Sequence, residues 1–302
     1  MQPTIRRTEL TVPGHNLAMM TKAAASAADE VILDLEDACA VSQKIAARQT
    51  VIQALQTLDF GGKIVAFRPN GVHTHYHYRD IIEVVEAAGQ HLHSIIIPKV
   101  ERADDVLFVD RLLTQIEQNT GLPVGRIKLE VLIESARALL HVERIAACSS
   151  RMASLIFGLA DYAGDIGARS TDDQWTTFLY PKHQIILAAR AAGIDALDSV
   201  TFAFRDDEAC RRDAANAAQM GFDGKWVIHP AQIPIVNAAF TPTAAEIAHA
   251  QRIISAYEQA DSVEGRGAIV VDDAMIDAAS LRVEAKKLAV ARRAGLLANN
   301  DQ

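Results

Sequence analysis

Short apolar runs alternate with segments of helical spacing along most of this chain. The runs at residues 9–12, 31–35, 63–67, 94–97, 128–133, 155–157, 199–204 and 226–228 are rich in Val, Ile, Leu and Phe and too short for helices, so they read as eight strands. Between them, stretches such as KIAARQTVIQALQTL and PKHQIILAARAAG place apolar residues three and four apart and often end in Gly. Residues 127–167 show the repeat most plainly: IKLEVLIES, then ALLHVERIAACSSR, long enough for one helix, then SLIFGLADYAGDIG. A right-handed crossover makes the two strands of such a unit parallel. Eight β/α units match a (β/α)8 TIM barrel, with residues 1–240 as the barrel and 241–302 as a C-terminal helical extension. An open doubly wound sheet is the alternative, but no G-x-G-x-x-G follows any strand.

A barrel presents its chemistry where strands end. Glu36 and Asp37 follow the second run, Arg68 the third, Lys99 and Glu101 the fourth, Glu134 the fifth, Asp161 the sixth and His229 the eighth. The opposite ends carry turn residues, such as the glycines at 61 and 62. Six agreeing strand exits point to a site rather than to scattered loop charges.

Composition narrows what that site serves. The net charge of −8, with Lys and Arg dispersed among acids, argues against nucleic acid or an anionic membrane as the main partner. Cys39, Cys148 and Cys210 are odd in number and far apart, which reads as reduced thiols in a cytoplasmic compartment. No long apolar leader or span is seen, so neither secretion nor membrane insertion is expected. Two carboxylates without Cys or clustered His suit a hard divalent cation, Mg²⁺ or Mn²⁺, with open positions that a 2-oxo or 2-hydroxy acid could fill. Arg68 offers a fixed fork of donors for an oxyanion, so metal and arginine together suggest enolate chemistry.

In order, TVPG, KAAASAADEVILDLEDA, FRPN, IIIPKVE, LIESARALL, FGLADYAGDIGA, GFDGKWVIHPAQI and FTPTAAEIAHA resemble the citrate lyase β-subunit-like family, the CoA-using branch of the HpcH/HpaI aldolase superfamily that includes malyl-CoA and citramalyl-CoA lyases. The resemblance covers nearly the whole chain. It implies Mg²⁺ held by Glu134 and Asp161, substrate contacts from Arg68 and Glu134, and Glu36 and Asp37 positioning Arg68 and metal-bound waters. It also implies a CoA thioester substrate, with Lys22, Ile228 and His229 near the CoA, and a homo-oligomer, trimer or hexamer. Thr11, Ala18 and Pro69 depart from the family pattern in the segments that bear on CoA.

In the extension, residues 241–260 read as a helix with Thr243 as N-cap and Glu246 closing a capping box. Gly265 and Gly267 flank Arg266, which suits a hinge. The resemblance implies a lid whose M-I-D motif supplies an acid/base aspartate, here Asp277; the plainer reading is an acidic residue at a helix start. His73, His75 and His77 alternate but need no ligand role, and Asp165 is expected to serve at a helix start or through water. The leading expectation is a Mg²⁺-dependent lyase that cleaves citramalyl-CoA or malyl-CoA to acetyl-CoA and a 2-oxo acid. The alternatives are a CoA-free class II 4-hydroxy-2-oxo acid aldolase, a citrate lyase β subunit acting on an acyl carrier protein, and a degenerate barrel that only binds.

Overall fold

The computed structural model describes residues 5–172, 174–264 and 267–298. The chain divides into two compact units, Arg6–Asn237 and a second made mainly of residues from Ala238 onward. In the first, eight parallel strands close into a barrel in chain order, β1 pairing with both β2 and β8. They are β1 (Thr8–Pro13), β2 (Glu30–Asp34), β3 (Ile64–Arg68), β4 (Ser94–Ile97), β5 (Lys128–Ile133), β6 (Met152–Phe157), β7 (Asp195–Asp198) and β8 (Gly224–Val227). The helices between and after them are α1 (Leu17–Ala24), α2 (Lys44–Thr57), α3 (His77–Ala88), α4 (Ala103–Thr120), α5 (Ala136–Leu140), α6 (Val142–Ala146), α7 (Leu159–Asp165), α8 (Gln174–Thr177), α9 (Leu179–Ala192), α10 (Asp207–Met220) and α11 (Gln232–Ala239). The TIM barrel expected from the periodicity is present.

Side chains alternate across each strand, so every second residue of the barrel faces one side. Ile32, Ala66, Ile96, Leu132, Ile156, Leu197 and Trp226 form one buried cluster with a residue from each of β2 to β8. Two positions further along three of these strands stand Asp34, Arg68 and Glu134; two positions earlier stand Glu30, Glu130 and Asp195. The barrel therefore has an apolar waist, with charged groups at the rim above and at the floor below.

Arg6 binds the floor together. Its Nε donates to Glu30 Oε2 (2.9 Å), and its two terminal nitrogens lie 3.3 Å from Asp195 Oδ2 and 3.4 Å from Glu130 Oε1. A Cβ at position 224 would fall 1.8 Å from the Arg6 carbonyl oxygen, so β8 must begin on a glycine.

Three sequence expectations are corrected. The seventh strand is Asp195–Asp198, not residues 199–204. Its acids hid it: Asp198 is fully buried because Lys182 and Lys225 both reach its carboxylate. The apolar residues that mimicked a strand, Phe202 and Phe204, are exposed in the following loop. Residues 136–146 form two short helices broken at His141 (φ −114°, ψ 9°), not one.

The third correction lies in the second unit, where α12 (Ala244–Glu264) and α13 (Ala278–Arg293) flank an antiparallel hairpin of β9 (Ala268–Val271) and β10 (Ala274–Asp277). The extension is thus not wholly helical. Asp272 and Asp273, both at positive φ (49° and 62°), make the two-residue turn, a conformation that aspartate tolerates better than most residues. The expected capping box is present: Glu246 N donates to Thr243 Oγ1 (3.2 Å) and Thr243 N to Glu246 Oε2 (2.8 Å). The two helices pack through Ile247, Ala250, Leu288 and Ala291. Of the expected hinge, Gly265 and Arg266 lie outside the described residues.

Candidate active site

The rim of the barrel is built outward from Asp34. Its carboxylate grips Arg68 with both oxygens, Nε donating to Oδ1 at 2.7 Å and Nη2 to Oδ2 at 2.5 Å. The same two oxygens accept Glu36 N (2.8 Å) and Ala38 N (3.0 Å), folding the chain after β2 back over its own strand end. Burial alone would raise the Asp34 pKa, but the guanidinium and these N–H donors overcome it and hold the group below the ordinary carboxylate range. Arg68 rests over the Trp226 ring, 5.3 Å from its centroid, and is 8% exposed. Its remaining nitrogen lies 3.1 Å from Glu36 Oε2.

The loop after β3 is pinned to the loop after β2. Asp80 accepts from both nitrogens of Asn70 (2.9 and 2.6 Å), and Lys44 Nζ joins Asn70 Oδ1 (2.5 Å) to the backbone oxygens of Leu35 (3.0 Å) and Glu36 (2.7 Å). Arg68 is thereby fixed from its side chain and from its backbone.

Next to it stands a group of carboxylates around one ammonium. Lys99 Nζ is 2.7 Å from Asp161 Oδ1, 3.7 Å from Glu134 Oε2, 3.8 Å from Glu36 Oε1 and 3.9 Å from Asp37 Oδ2. Lys99 also adopts φ +56°, and its backbone N–H donates to Glu134 Oε1 at 2.5 Å. Glu134 needs Gly158 beside it, since a Cβ there would lie 2.5 Å from Glu134 Cβ and 2.9 Å from Oε2. Burial pushes Glu134 up to about 8 and Glu36 up to about 7, against the pull of Lys99 and Arg68. Arg68 is committed to Asp34 and Glu36, so among the described residues Lys99 is the one cation in contact with Asp37, Glu134 and Asp161. The donors are all hard oxygens, with no thiol or imidazole in the group. A hard divalent cation fits this set, and Glu134 and Asp161 are the residues that could hold it.

Arg68, Glu36, Glu134 and Asp161 come together at the rim, as the strand exits led us to expect. Asp37 touches Lys99 rather than Arg68, and its side chain is largely exposed. Lys22 stands exposed in the last turn of α1 and does not join the group. Ile228 and His229 lie exposed at the end of β8, their N–H groups both donating to Gln232 Oε1 (3.0 and 3.3 Å). The His229 ring packs against Phe204 at 5.2 Å, and its Nδ1 accepts Ala231 N, which leaves the ring proton on Nε2 when neutral. Asp165 accepts Ala136 N (2.7 Å) at the start of α5, a helix-start role as expected. The alternating histidines diverge: His77 is buried in α3 with Nδ1 on Asn70 O, while His73 Nε2 contacts Lys99 O. Asp277 is the N-cap of α13, its Oδ1 accepting Ala279 N, Ser280 N and Ser280 Oγ, and these bonds hold its pKa below the ordinary range.

Sequence reasoning missed Asp34 and gave Lys99 no role. The signal for Asp34 was its spacing, two residues after Ile32 and two before Glu36 in ILDLE, which puts it on the barrel's inner face. Lys99 carries a left-handed backbone that no sequence pattern announces.

Residues 7–230 match the family model of HpcH/HpaI aldolase/citrate lyase. The chain is 40% identical over 292 residues to an L-malyl-CoA/beta-methylmalyl-CoA lyase of Cereibacter sphaeroides, covering 91% of each chain. It is 39% identical over 274 residues to the citrate lyase subunit beta of Leuconostoc mesenteroides subsp. cremoris, covering 90% of this chain and 89% of the other. Among solved structures, it is similar to the CitE protein of Mycobacterium tuberculosis in complex with magnesium, acetoacetate and coenzyme A, with a TM-score of 0.78 and 31% identity over 96% of this chain and 98% of that one.

Proposed function

Because the chain belongs to the HpcH/HpaI aldolase/citrate lyase family and is a lyase of that family, we propose that it cleaves a carboxylated 3-hydroxyacyl-CoA, malyl-CoA first among them, to acetyl-CoA and a 2-oxo acid with the help of Mg²⁺. The observation that carries this reading is the rim itself: a guanidinium locked by Asp34 beside a buried Glu134 and a more open Asp161 that share the ammonium of Lys99. The two lyase relatives and the magnesium- and coenzyme A-bound CitE protein support the same assignment.

Glu134 and Asp161 would hold the cation, which when bound supplies Lewis acidity toward the hydroxyl and carboxylate oxygens of the substrate. The protein's own groups do the rest. The substrate hydroxyl gives up its proton to solvent, the carbinol carbon becomes the carbonyl of the 2-oxo acid as the carbon–carbon bond breaks, and the electron pair of that bond passes into the thioester as an enolate, to be protonated by a group that takes its own proton from solvent. Arg68 donates to the enolate oxygen; because Asp34 already fixes the fork, no reorientation is needed as charge develops. The Trp226 ring beneath Arg68 keeps water from that face of the guanidinium. Asp277 is the proposed acid that protonates the enolate carbon and, in the condensing direction, the base that removes the same proton. Lys22, Ile228 and His229 are the proposed contacts of the CoA portion.

The substrate is tested by offering the Mg²⁺-loaded protein malyl-CoA, beta-methylmalyl-CoA and each citramalyl-CoA epimer and identifying the 2-oxo acid released. Glyoxylate from malyl-CoA is the expected product. Cleavage of CoA-free 4-hydroxy-2-oxo acids with no turnover of any thioester would replace this reading with the CoA-free aldolase.

A further inference from the structure

The ammonium of Lys99 stands between the two carboxylates assigned to the cation, 2.7 Å from Asp161 and 3.7 Å from Glu134. Two cations in contact with the same carboxylate oxygens repel strongly in a partly buried site. A divalent ion seated on Glu134 and Asp161 must therefore displace this ammonium. We propose that Lys99 is a tethered counter-cation of the metal site, which holds its carboxylates together before the metal arrives and withdraws toward Glu36 and Asp37 when it binds. The inference rests on the reading that Glu134 and Asp161 ligate the cation.

Three features support a built device rather than a chance surface contact. The backbone at Lys99 is held at φ +56°, a conformation that disfavours a side chain with a Cβ and persists only where its surroundings impose it. Those surroundings are visible: Lys99 N donates to Glu134 Oε1, and Lys99 O contacts His73 Nε2 at 3.1 Å. Gly71 lies so close that a Cβ there would be 3.1 Å from Lys99 Cγ, so the stem of the lysine is guided across the rim.

Next, the ammonium has somewhere to go. Glu36 Oε1 and Asp37 Oδ2 already lie 3.8 and 3.9 Å away, and a short swing brings both into full contact while freeing Asp161. Finally, among the described residues no other cation is in direct contact with Glu134 or Asp161. Arg68 is turned to Asp34 by two hydrogen bonds and, of the four carboxylates, reaches only Glu36 in direct contact. Without Lys99 the carboxylates would repel one another and spread. With it, the metal must compete against a charge that the chain itself supplies, and the affinity of the site is set by that contest.

The test is Mn²⁺ binding by the full-length protein, read by electron paramagnetic resonance, together with melting temperature in chelator and in saturating Mn²⁺. Lys99→Met, which keeps the stem and removes the charge, should bind Mn²⁺ at least roughly tenfold more tightly than the wild type. In chelator it should melt below the wild type, and saturating Mn²⁺ should close that gap. Lys99→Gln should behave in the same way and serves if the methionine variant does not fold. Equal or weaker binding by the folded variants, with measurable binding by the wild type, overturns the role of Lys99 and leaves the metal assignment standing. Absence of Mn²⁺ binding by wild type and variants alike overturns both.

Discussion

Asp34 holds Arg68 in a two-pronged grip from the neighbouring strand, with contacts of 2.7 and 2.5 Å in a place where the carboxylate is wholly buried. Breaking such a pair by removing one partner typically costs about 3–5 kcal/mol, because the other charge is left buried and alone. Asp34→Ala should therefore lower both thermal stability and turnover. Asp34→Asn keeps one acceptor and should fold better, yet still lose about 10²-fold in kcat as the fork loosens, an amount comparable to losing one oxyanion donor. Arg68→Ala should lose about 10²–10³-fold with a smaller change in KM. Near-native kcat in Asp34→Asn would show that the grip serves the fold alone.

Gly158 makes the room in which Glu134 stands. In Gly158→Ala the added Cβ would sit 2.5 Å from Glu134 Cβ, so the strand exit or the carboxylate must move. Overpacking of this kind costs about 1–3 kcal/mol. The variant should melt lower and bind Mn²⁺ more weakly. Unchanged Mn²⁺ affinity would show that Glu134 does not need its present position to hold the ion.

The floor of the barrel makes a separate prediction about pH. Burial, reinforced by repulsion from Glu130 and, at Glu9, from Glu30, raises Glu9 and Glu30 well above the ordinary carboxylate range, even with Arg6 beside them. The folded protein thus holds protons there that the unfolded chain has released. Stability should fall as pH rises from the ordinary carboxylate range toward these raised values. Glu9→Gln removes one such group, so its melting temperature should exceed that of the wild type at pH 8 and by less at pH 5. Each kcal/mol recovered corresponds to about 2–4 °C in a folded unit the size of the barrel, Arg6–Asn237. A difference that is flat with pH would show that Glu9 is not part of this titration.

Asp277 has two separable roles. As an N-cap it accepts the N–H groups of Ala279 and Ser280, and replacing such a cap by alanine costs about 0.5–2 kcal/mol. Asparagine caps a helix nearly as well but cannot carry the proton. Asp277→Asn should therefore keep the melting temperature of the wild type and lose turnover, whereas Asp277→Ala should lose both. Wild-type turnover in Asp277→Asn would remove this residue from the reaction.

The barrel could be read from its sequence because buried parallel strands are short apolar runs whose functional groups gather at one end. Glu134, Asp161, Arg68 and Glu36 followed from that rule. β7 did not, because Asp195 and Asp198 make it look polar; the lysines of α9 and β8 explain why the strand buries Asp198, and Arg6 reaches Asp195. Asp34 was concealed inside the apolar run it terminates. The centrality of Lys99 depends on a backbone conformation and on four distances, none of which is written in residue order. The hairpin between α12 and α13 was obscured because its turn is Asp-Asp rather than the more familiar Asn-Gly.

Stripping and restoring the metal separates metal-dependent cleavage from any other route to the same products. Protein treated with EDTA and dialysed is given malyl-CoA with and without Mg²⁺, and acetyl-CoA, glyoxylate and free CoA are measured together. Equal amounts of acetyl-CoA and glyoxylate are expected, formed only when Mg²⁺ is present and by neither Glu134→Gln nor Asp161→Asn. Equal release in EDTA, or release of free CoA with malate in place of glyoxylate, would contradict metal-dependent carbon–carbon cleavage.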